Sequence, residues 1–305
     1  MTQWTRLALA GSLGTLVGLV VPAAAGAQPE PTPNQAYWED DSHLRYYGGI
    51  GKNNDVVITN YGSPSAYLID DVSRIVPGYG CVNVSGDNTK AICTKPESGI
   101  AWFGVQLGGG TDQLDYNASF DTYAYIYGGT GNDTIEIGSG AGPYLDVDLG
   151  PGNDSLQRPV GTAYLRVDGG TGADTMCAGA WVFYDQHTEG VYVTIGGAAG
   201  GDGAPDEGDT VCASVWGVTG TAYADTLIAG SAKTSLTGGG GADLLIGGPL
   251  NDSLWGYGGN DLLYGLGGND LLHGSEGTDS LYGGTGTDQC ATDGADALHD
   301  CEEIY

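Results

Sequence analysis

Residues 238–291 read GGGGADLLI GGPLNDSLW GYGGNDLLY GLGGNDLLH GSEGTDSLY GGTGTDQCA, six consecutive blocks of nine. Two looser blocks precede them, GTAYADTLI from Gly220 and AGSAKTSLT from Ala229. The sixth place is Asp225, Asp243, Asp252, Asp261, Asp270, Asp279 or Asp288, with Thr234 in the second block alone. The eighth place is Leu at Leu227, Leu236, Leu245, Leu254, Leu263, Leu272 and Leu281, then Cys290. A fixed period of this kind decides the architecture before any local reading can.

The leading glycines, Gly238, Gly239 and Gly241 and later Gly256, Gly259, Gly265 and Gly268, make the first half of each block a tight turn. The second half is a three-residue strand with Leu on one side and its neighbours on the other. One such strand cannot bury its Leu alone, but stacked coils build a continuous Leu core. Two blocks complete a coil, so Asp225, Asp243, Asp261 and Asp279 fall on one edge and Asp252, Asp270 and Asp288 on the other. Coils stack about 4.8 Å apart. Carboxylates that close repel by a few kcal/mol at an effective dielectric of about 20. A cation between turns reverses that sign, and an all-oxygen site selects calcium. A flexible glycine-rich linker would not hold Asp and Leu in phase through eight blocks.

The block pattern resembles the RTX-type (hemolysin-type) calcium-binding nonapeptide, G-G-x-G-x-D-x-U-x. The resemblance is close over Gly238–Ala291 and looser over Gly220–Thr237. It implies an all-β fold, a right-handed parallel β-roll or β-helix with a small N-terminal β-rich cap. It also implies calcium ions held by Asp carboxylates and turn carbonyls from blocks one coil apart. Ions are expected at Asp225/Asp243, Asp243/Asp261, Asp261/Asp279, Asp252/Asp270 and Asp270/Asp288. The gap shared by Thr234 and Asp252 is expected to be weak or empty.

The motif recurs upstream as LGGGTDQLD, GGTGNDTIE, LGPGNDSLQ and GGTGADTMC, with Asp112, Asp133, Asp154 and Asp174 at its sixth place. Alternating runs at Tyr123–Tyr127, Tyr144–Leu149 and Ala163–Val167 lie between them. The reading is a roll with one metal-competent edge and longer opposite turns, against the alternative of glycine turns in a β-sandwich. All gaps filled would bring the count to about eight calcium ions. Between the halves, Asp202, Asp206, Glu207 and Asp209 crowd one loop, either a further cation site or a solvated acidic loop. The stretch around it is similar to an interruption found in secreted bacterial RTX-type proteins. Asp146-Val-Asp148-Leu-Gly150 begins like an EF-hand, but its twelfth place is Gln157, which lacks the required carboxylate.

The expected organisation is a signal peptide at 1–27, a Pro-rich linker at 28–36 and an N-terminal β-rich domain at 37–106. A long-spaced roll follows at 107–183, a strand pair with the acidic loop at 184–219, the nonapeptide roll at 220–291 and a disulfide-pinned C-terminal cap at 292–305. The signal reading rests on Arg6, the apolar run Leu7–Val21 and the Ala25-Gly26-Ala27 ending. It implies secretion, and the run is short for a membrane span. In the N-terminal domain, Asp55–Thr59, Ala66–Ile69, Ala91–Thr94 and Ala101–Leu107 read as strands. Gly80-Cys81 followed by Ile92-Cys93 also resembles a leader module of the same bacterial group.

Nine Lys and Arg stand against 38 Asp and Glu, a net charge of −29. That balance argues against nucleic acid and anionic membrane as partners. Six cysteines in an exported chain favour disulfides, and the sequential pairing Cys81–Cys93, Cys177–Cys212 and Cys290–Cys301 is expected. No G-x-S-x-G, H-E-x-x-H or phosphate loop is present, so no catalytic residue is assigned. The leading reading is a secreted, calcium-stabilised structural or surface-interaction protein. The alternative is a polysaccharide-acting enzyme or carbohydrate-binding module, with Glu136, Asp146, Asp148, Arg166 and Asp168 forming an acidic cleft. Cell-surface or matrix glycans are the corresponding candidate partners. Place-nine rings (Trp255, Tyr264, His273, Tyr282) point outward, to stack either on sugars or on each other between coils.

Overall fold

The computed structural model describes residues 34–40, 42–62, 66–95, 102–119, 123–158, 164–292 and 294–304. The expected signal peptide and residues 28–33 of the linker lie outside these residues. The described residues contain strands, turns and isolated bridges, and no helix. A 14-stranded sheet runs the length of the molecule. Facing it are a 9-stranded sheet over the N-terminal half and a 6-stranded sheet over the C-terminal half.

The chain winds between these faces. Trp102–Gly109, Tyr123–Thr130, Tyr144–Asp148 and Tyr164–Asp168 pair in parallel in the long sheet. The alternate strands Gln113–Asn117, Thr134–Ile137, Ser155–Gln157 and Thr175–Cys177 pair in parallel opposite them. Downstream, Leu236, Leu254, Leu272 and Cys290 align on one side and Leu227, Leu245, Leu263 and Leu281 on the other. All eight are fully buried. This is the parallel β-roll that the nonapeptide period demands, since each Leu buries itself only against the coils above and below. Leu263→Ala should therefore cost about 2–5 kcal/mol, read as a lower denaturation midpoint in excess calcium. A midpoint equal to wild type would show that the Leu core does not carry the roll.

The first coil starts earlier than the expected line at 106/107, which falls inside strand Trp102–Gly109. His43–Tyr47 pairs in parallel with that strand, and Asp55–Asn60 with Gln113–Asn117. Residues 43–60 are thus a coil of the roll itself. An antiparallel meander, Ala66–Asp70, Asp87–Thr94 and Cys81–Val84, then extends the 9-stranded sheet past the first coil. Capping the end this way covers backbone groups that an open edge would expose.

Residues 184–212 break the opposite face into two sheets. Thr210–Val211 finishes the 9-stranded sheet by pairing with Thr175–Cys177. Tyr192–Thr194 begins the 6-stranded sheet by pairing with Thr226–Ile228. The long sheet passes across the break, because Trp181–Phe183 pairs directly with Gly217–Thr219. Disulfides join Cys81 to Cys93, Cys177 to Cys212 and Cys290 to Cys301. The first links paired strands of the meander, the second ties down the break, and the third holds the tail whose strands Ala297–His299 and Glu303–Ile304 extend both faces.

Candidate metal centre

Each motif aspartate sits in the turn where the chain crosses from one sheet to the other. All eleven, from Asp112 to Asp288, are at most 3% exposed. Each Oδ1 accepts a backbone N–H from the coil before it. The N–H of Asp112 donates to Asp133 at 2.8 Å, that of Asp133 to Asp154 at 2.6 Å and that of Asp154 to Asp174 at 2.7 Å. Downstream, Asp225 donates to Asp243, Asp243 to Asp261 and Asp261 to Asp279 at 2.8–2.9 Å. On the other edge Thr234 donates to Asp252, Asp252 to Asp270 and Asp270 to Asp288 at 2.7–2.8 Å. The ladders consume one oxygen per carboxylate and aim the other into the turn.

That second oxygen is the informative one. Oδ2 of Asp112, Asp133, Asp154, Asp174, Asp243, Asp261, Asp270 and Asp288 is buried with no hydrogen-bond donor. An unpaired buried carboxylate oxygen is costly, so each marks a place where positive charge is wanted. Backbone carbonyls share the space. A Cβ on Gly265 would lie 2.5 Å from both Asp270 Oδ2 and the Gly283 carbonyl oxygen. Gly256 stands in the same relation to Asp261 Oδ2 and the Gly274 carbonyl, and Gly238 to Asp243 Oδ2 and the Gly256 carbonyl. At Gly259, φ is 140° and a Cβ would collide with the Gly241 carbonyl, so close stacking of the turns requires glycine there.

Two blocks differ. Asp225 Oδ2 accepts the Thr221 N–H at 2.7 Å, and Asp252 Oδ2 accepts the Gly248 N–H at 2.6 Å. Their carboxylates are already satisfied by protein. Thr234 turns its hydroxyl onto the Ala232 carbonyl at 3.0 Å and adds no carboxylate to its gap.

Electrostatics follow from this burial. Desolvation pushes Asp112, Asp261 and Asp270 up to about 6, Asp154 and Asp243 to about 7 and Asp174 to about 8. Neighbouring carboxylates add to each rise, and the ladder N–H donors oppose it. Among the described residues, no three His, Cys, Asp or Glu side chains converge as a ligand set by themselves. The donors on offer are instead paired carboxylates with turn carbonyls. That hard all-oxygen set fits calcium, which takes six to eight oxygens in flexible geometry, and offers nothing to zinc.

The ladders extend beyond the motif aspartates. Asn54 begins one, giving both its backbone and side-chain N–H to Asp112 Oδ1 at 2.6 and 3.0 Å. Asp209 continues it, accepting the Asp174 N–H at 2.9 Å. Asp296 and Glu302 complete the C-terminal ends, accepting from Asp279 at 3.1 Å and Asp288 at 2.8 Å. A usable signal was present. Asp209-Thr-Val211, Asp296-Ala-Leu298 and Glu302-Glu-Ile304 each repeat the spacing of an acid two places before an apolar residue. Exposed Asn side chains form a second rail, as where Asn269 accepts the Thr287 N–H at 3.1 Å.

The acidic loop is not a ligand cluster. Asp202 accepts the Thr194 and Val211 N–H groups at 2.6 and 2.9 Å, Glu207 accepts the Ala204 N–H at 2.9 Å, and Asp209 belongs to the ladder. Asp206 is exposed, with φ of 73°. Asp202, Glu207 and Asp209 each hold a different backbone N–H and Asp206 stands exposed, so the expected extra cation site of Asp202, Asp206, Glu207 and Asp209 is not assembled. The expected acidic cleft also divides. Glu136 lies on the 9-stranded sheet, whereas Asp146, Asp148, Arg166 and Asp168 lie on the long one. The place-nine rings stack on each other: Trp255 on His273 and Tyr264 on Tyr282, both at 4.8 Å between centroids.

A parallel β-roll with rows of buried, half-satisfied aspartates at its turns offers a hard cation the same set of oxygens coil after coil. The family model of the RTX calcium-binding nonapeptide repeat matches residues 125–142, 219–254, 237–272 and 255–290. The chain thus carries RTX calcium-binding nonapeptide repeats, the matched stretches covering less than a third of it. Comparison with curated proteins gives no match.

Proposed function

We propose that this protein is a secreted structural or surface-interaction protein whose roll folds on calcium, with no chemistry of its own. Eight or so ions occupy the gaps between same-edge aspartates, and each supplies positive charge to two carboxylates and the adjacent carbonyls. The observation that carries this reading is the row of buried Oδ2 atoms without donors. Metal-free, the roll holds these charges apart only at the cost of burying them unpaired. Because the gaps exist only in the folded chain, binding energy is folding energy. Export follows from the N-terminal segment Arg6–Ala27 and agrees with three disulfides.

The gaps should differ in strength. Asp243/Asp261, Asp261/Asp279 and Asp270/Asp288, with unpaired Oδ2 at Asp243, Asp261 and Asp270, bind first. Asp225/Asp243 and Asp252/Asp270 bind later, because backbone N–H groups compete for Asp225 and Asp252. The test is far-UV circular dichroism during calcium titration of EDTA-stripped protein. The β signal should collapse on stripping and return cooperatively, at about 10⁻⁴ to 10⁻³ M calcium. Stripped protein with an unchanged spectrum and melting temperature would refute the proposal.

A further inference from the structure

The outward face of the 14-stranded sheet in the N-terminal half carries a feature that calcium binding leaves unused. Four coils place a ring in one register row: Trp102 beside Tyr123, and Tyr144 beside Tyr164. Ala124 pairs with Leu145, which joins the two pairs into one row. Trp181 pairs with Arg166, one row over, and leans its ring back onto Tyr164, with centroids 6.3 Å from Tyr144 to Tyr164 and 6.5 Å from Tyr164 to Trp181. The last two rings are near-parallel, at 23°. The coil strands of the opposite sheet carry no ring outward; Asp55, Thr59, Asp115, Glu136 and Gln157 stand there instead. An ordinary solvated face would not sort its rings to one side.

Glycine lets the terminal ring lie down. A Cβ on Gly217 would meet Trp181 Cζ3 at 2.5 Å, so the indole rests against bare backbone and turns a face outward. Glycine inside a strand weakens it and marks close approach of another group. Beside the rings runs an acceptor-rich row. Asp146 accepts the Tyr123 hydroxyl at 2.9 Å and pairs with Arg166 at 3.3 Å. Asp148 accepts the Tyr125 hydroxyl at 3.3 Å. Arg166 also reaches Asp185 at 3.1 Å, so its charge is spent on two acids, and Arg45 of the same row is paired with Glu39.

We propose that this face, from Tyr123 to Trp181, binds a neutral polysaccharide laid along the roll axis. Flat rings receive the apolar faces of pyranoses, and the half-buried Asp148 and exposed Asp185 accept hydrogen bonds from their hydroxyls, while the buried Asp146 anchors Tyr123 and Arg166. An excess of acceptors complements a ligand made of donors. The same excess, on a chain of net charge −29, rejects uronate polymers and nucleic acid. Tyr144 is 56% exposed and Tyr164 and Trp181 are half-buried, so the platform is most accessible at Tyr144. Successive rings advance by one coil, about 4.8 Å, comparable with the advance of one sugar in an extended chain.

The test is affinity electrophoresis of calcium-saturated protein through gels holding hydroxyethylcellulose, xylan, galactomannan or alginate. At least one neutral polymer should retard the protein and alginate should not. Tyr144→Ala and Trp181→Ala should each weaken retardation about tenfold, while Tyr264→Ala on the 6-stranded sheet changes nothing. Circular dichroism of each variant in calcium separates lost binding from lost folding. If Trp181→Ala misfolds, the exposed Tyr144→Ala decides. No retardation by any neutral polymer, preference for alginate, or an equal loss in Tyr264→Ala would each overturn the proposal. Calcium-dependent folding is read separately, so either idea can fail while the other stands.

Discussion

Asp261→Asn should raise the calcium concentration for half-folding about tenfold, a loss of about 1.4 kcal/mol, while Asp225→Asn should leave it almost unmoved. Both substitutions preserve an acceptor for the ladder N–H that each aspartate receives, from Asp243 and Val191 respectively. They differ in what the charge does. Asp261 Oδ2 is buried without a donor, and its carboxylate borders the gaps to both Asp243 and Asp279. Asp225 borders the gap to Asp243, and its Oδ2 already receives the Thr221 N–H. Parallel calcium titrations by circular dichroism check the pair. Equal midpoints would show that ions are not shared between stacked aspartates.

Stripped of calcium, the chain should gain β structure as pH falls from 8 toward 5. An unfolded Asp titrates near about 3.9, whereas burial raises Asp261 and Asp270 to about 6, Asp154 and Asp243 to about 7 and Asp174 to about 8. The folded state therefore binds protons more tightly than the unfolded one. Linkage makes that contribution full below the unfolded value and lost as pH rises through the folded values, between about 6 and 8. With calcium bound the dependence reverses, because protons compete with the ion for the same oxygens. A stripped sample whose signal is flat from pH 5 to 8, or grows with pH, would contradict the buried-carboxylate account.

The downstream roll was legible residue by residue. Leu at every ninth place forces coils to stack, and Asp two places earlier then falls at a turn whatever else the chain does. The ladder ends were harder to read. Asp209, Asp296 and Glu302 keep the acid-to-apolar spacing but lack the leading glycine pair, Asp296 retaining only Gly294, so they look like ordinary loop acids. Asn54 keeps the position without the charge. The N-terminal coil was missed for a different reason. Its closing strand, Trp102–Gly109, comes 59 residues after His43, with the meander between, and periodicity does not survive such an interruption.

What the sequence alone determined is the period, and with it the roll, the Leu core and the two rows of acids. A nine-residue repeat with one apolar place has no other way to bury that side chain. What only the tertiary structure decided is which oxygens are left over. Asp225 and Asp252 carry the same letter as Asp261 and Asp270, yet neighbouring N–H groups satisfy the first pair and leave the second wanting a cation. The sorting of rings to one face was likewise invisible, because it depends on which strands the 20- and 21-residue coils bring side by side. Spacing sets which groups meet; only packing sets whether they are already satisfied when they do.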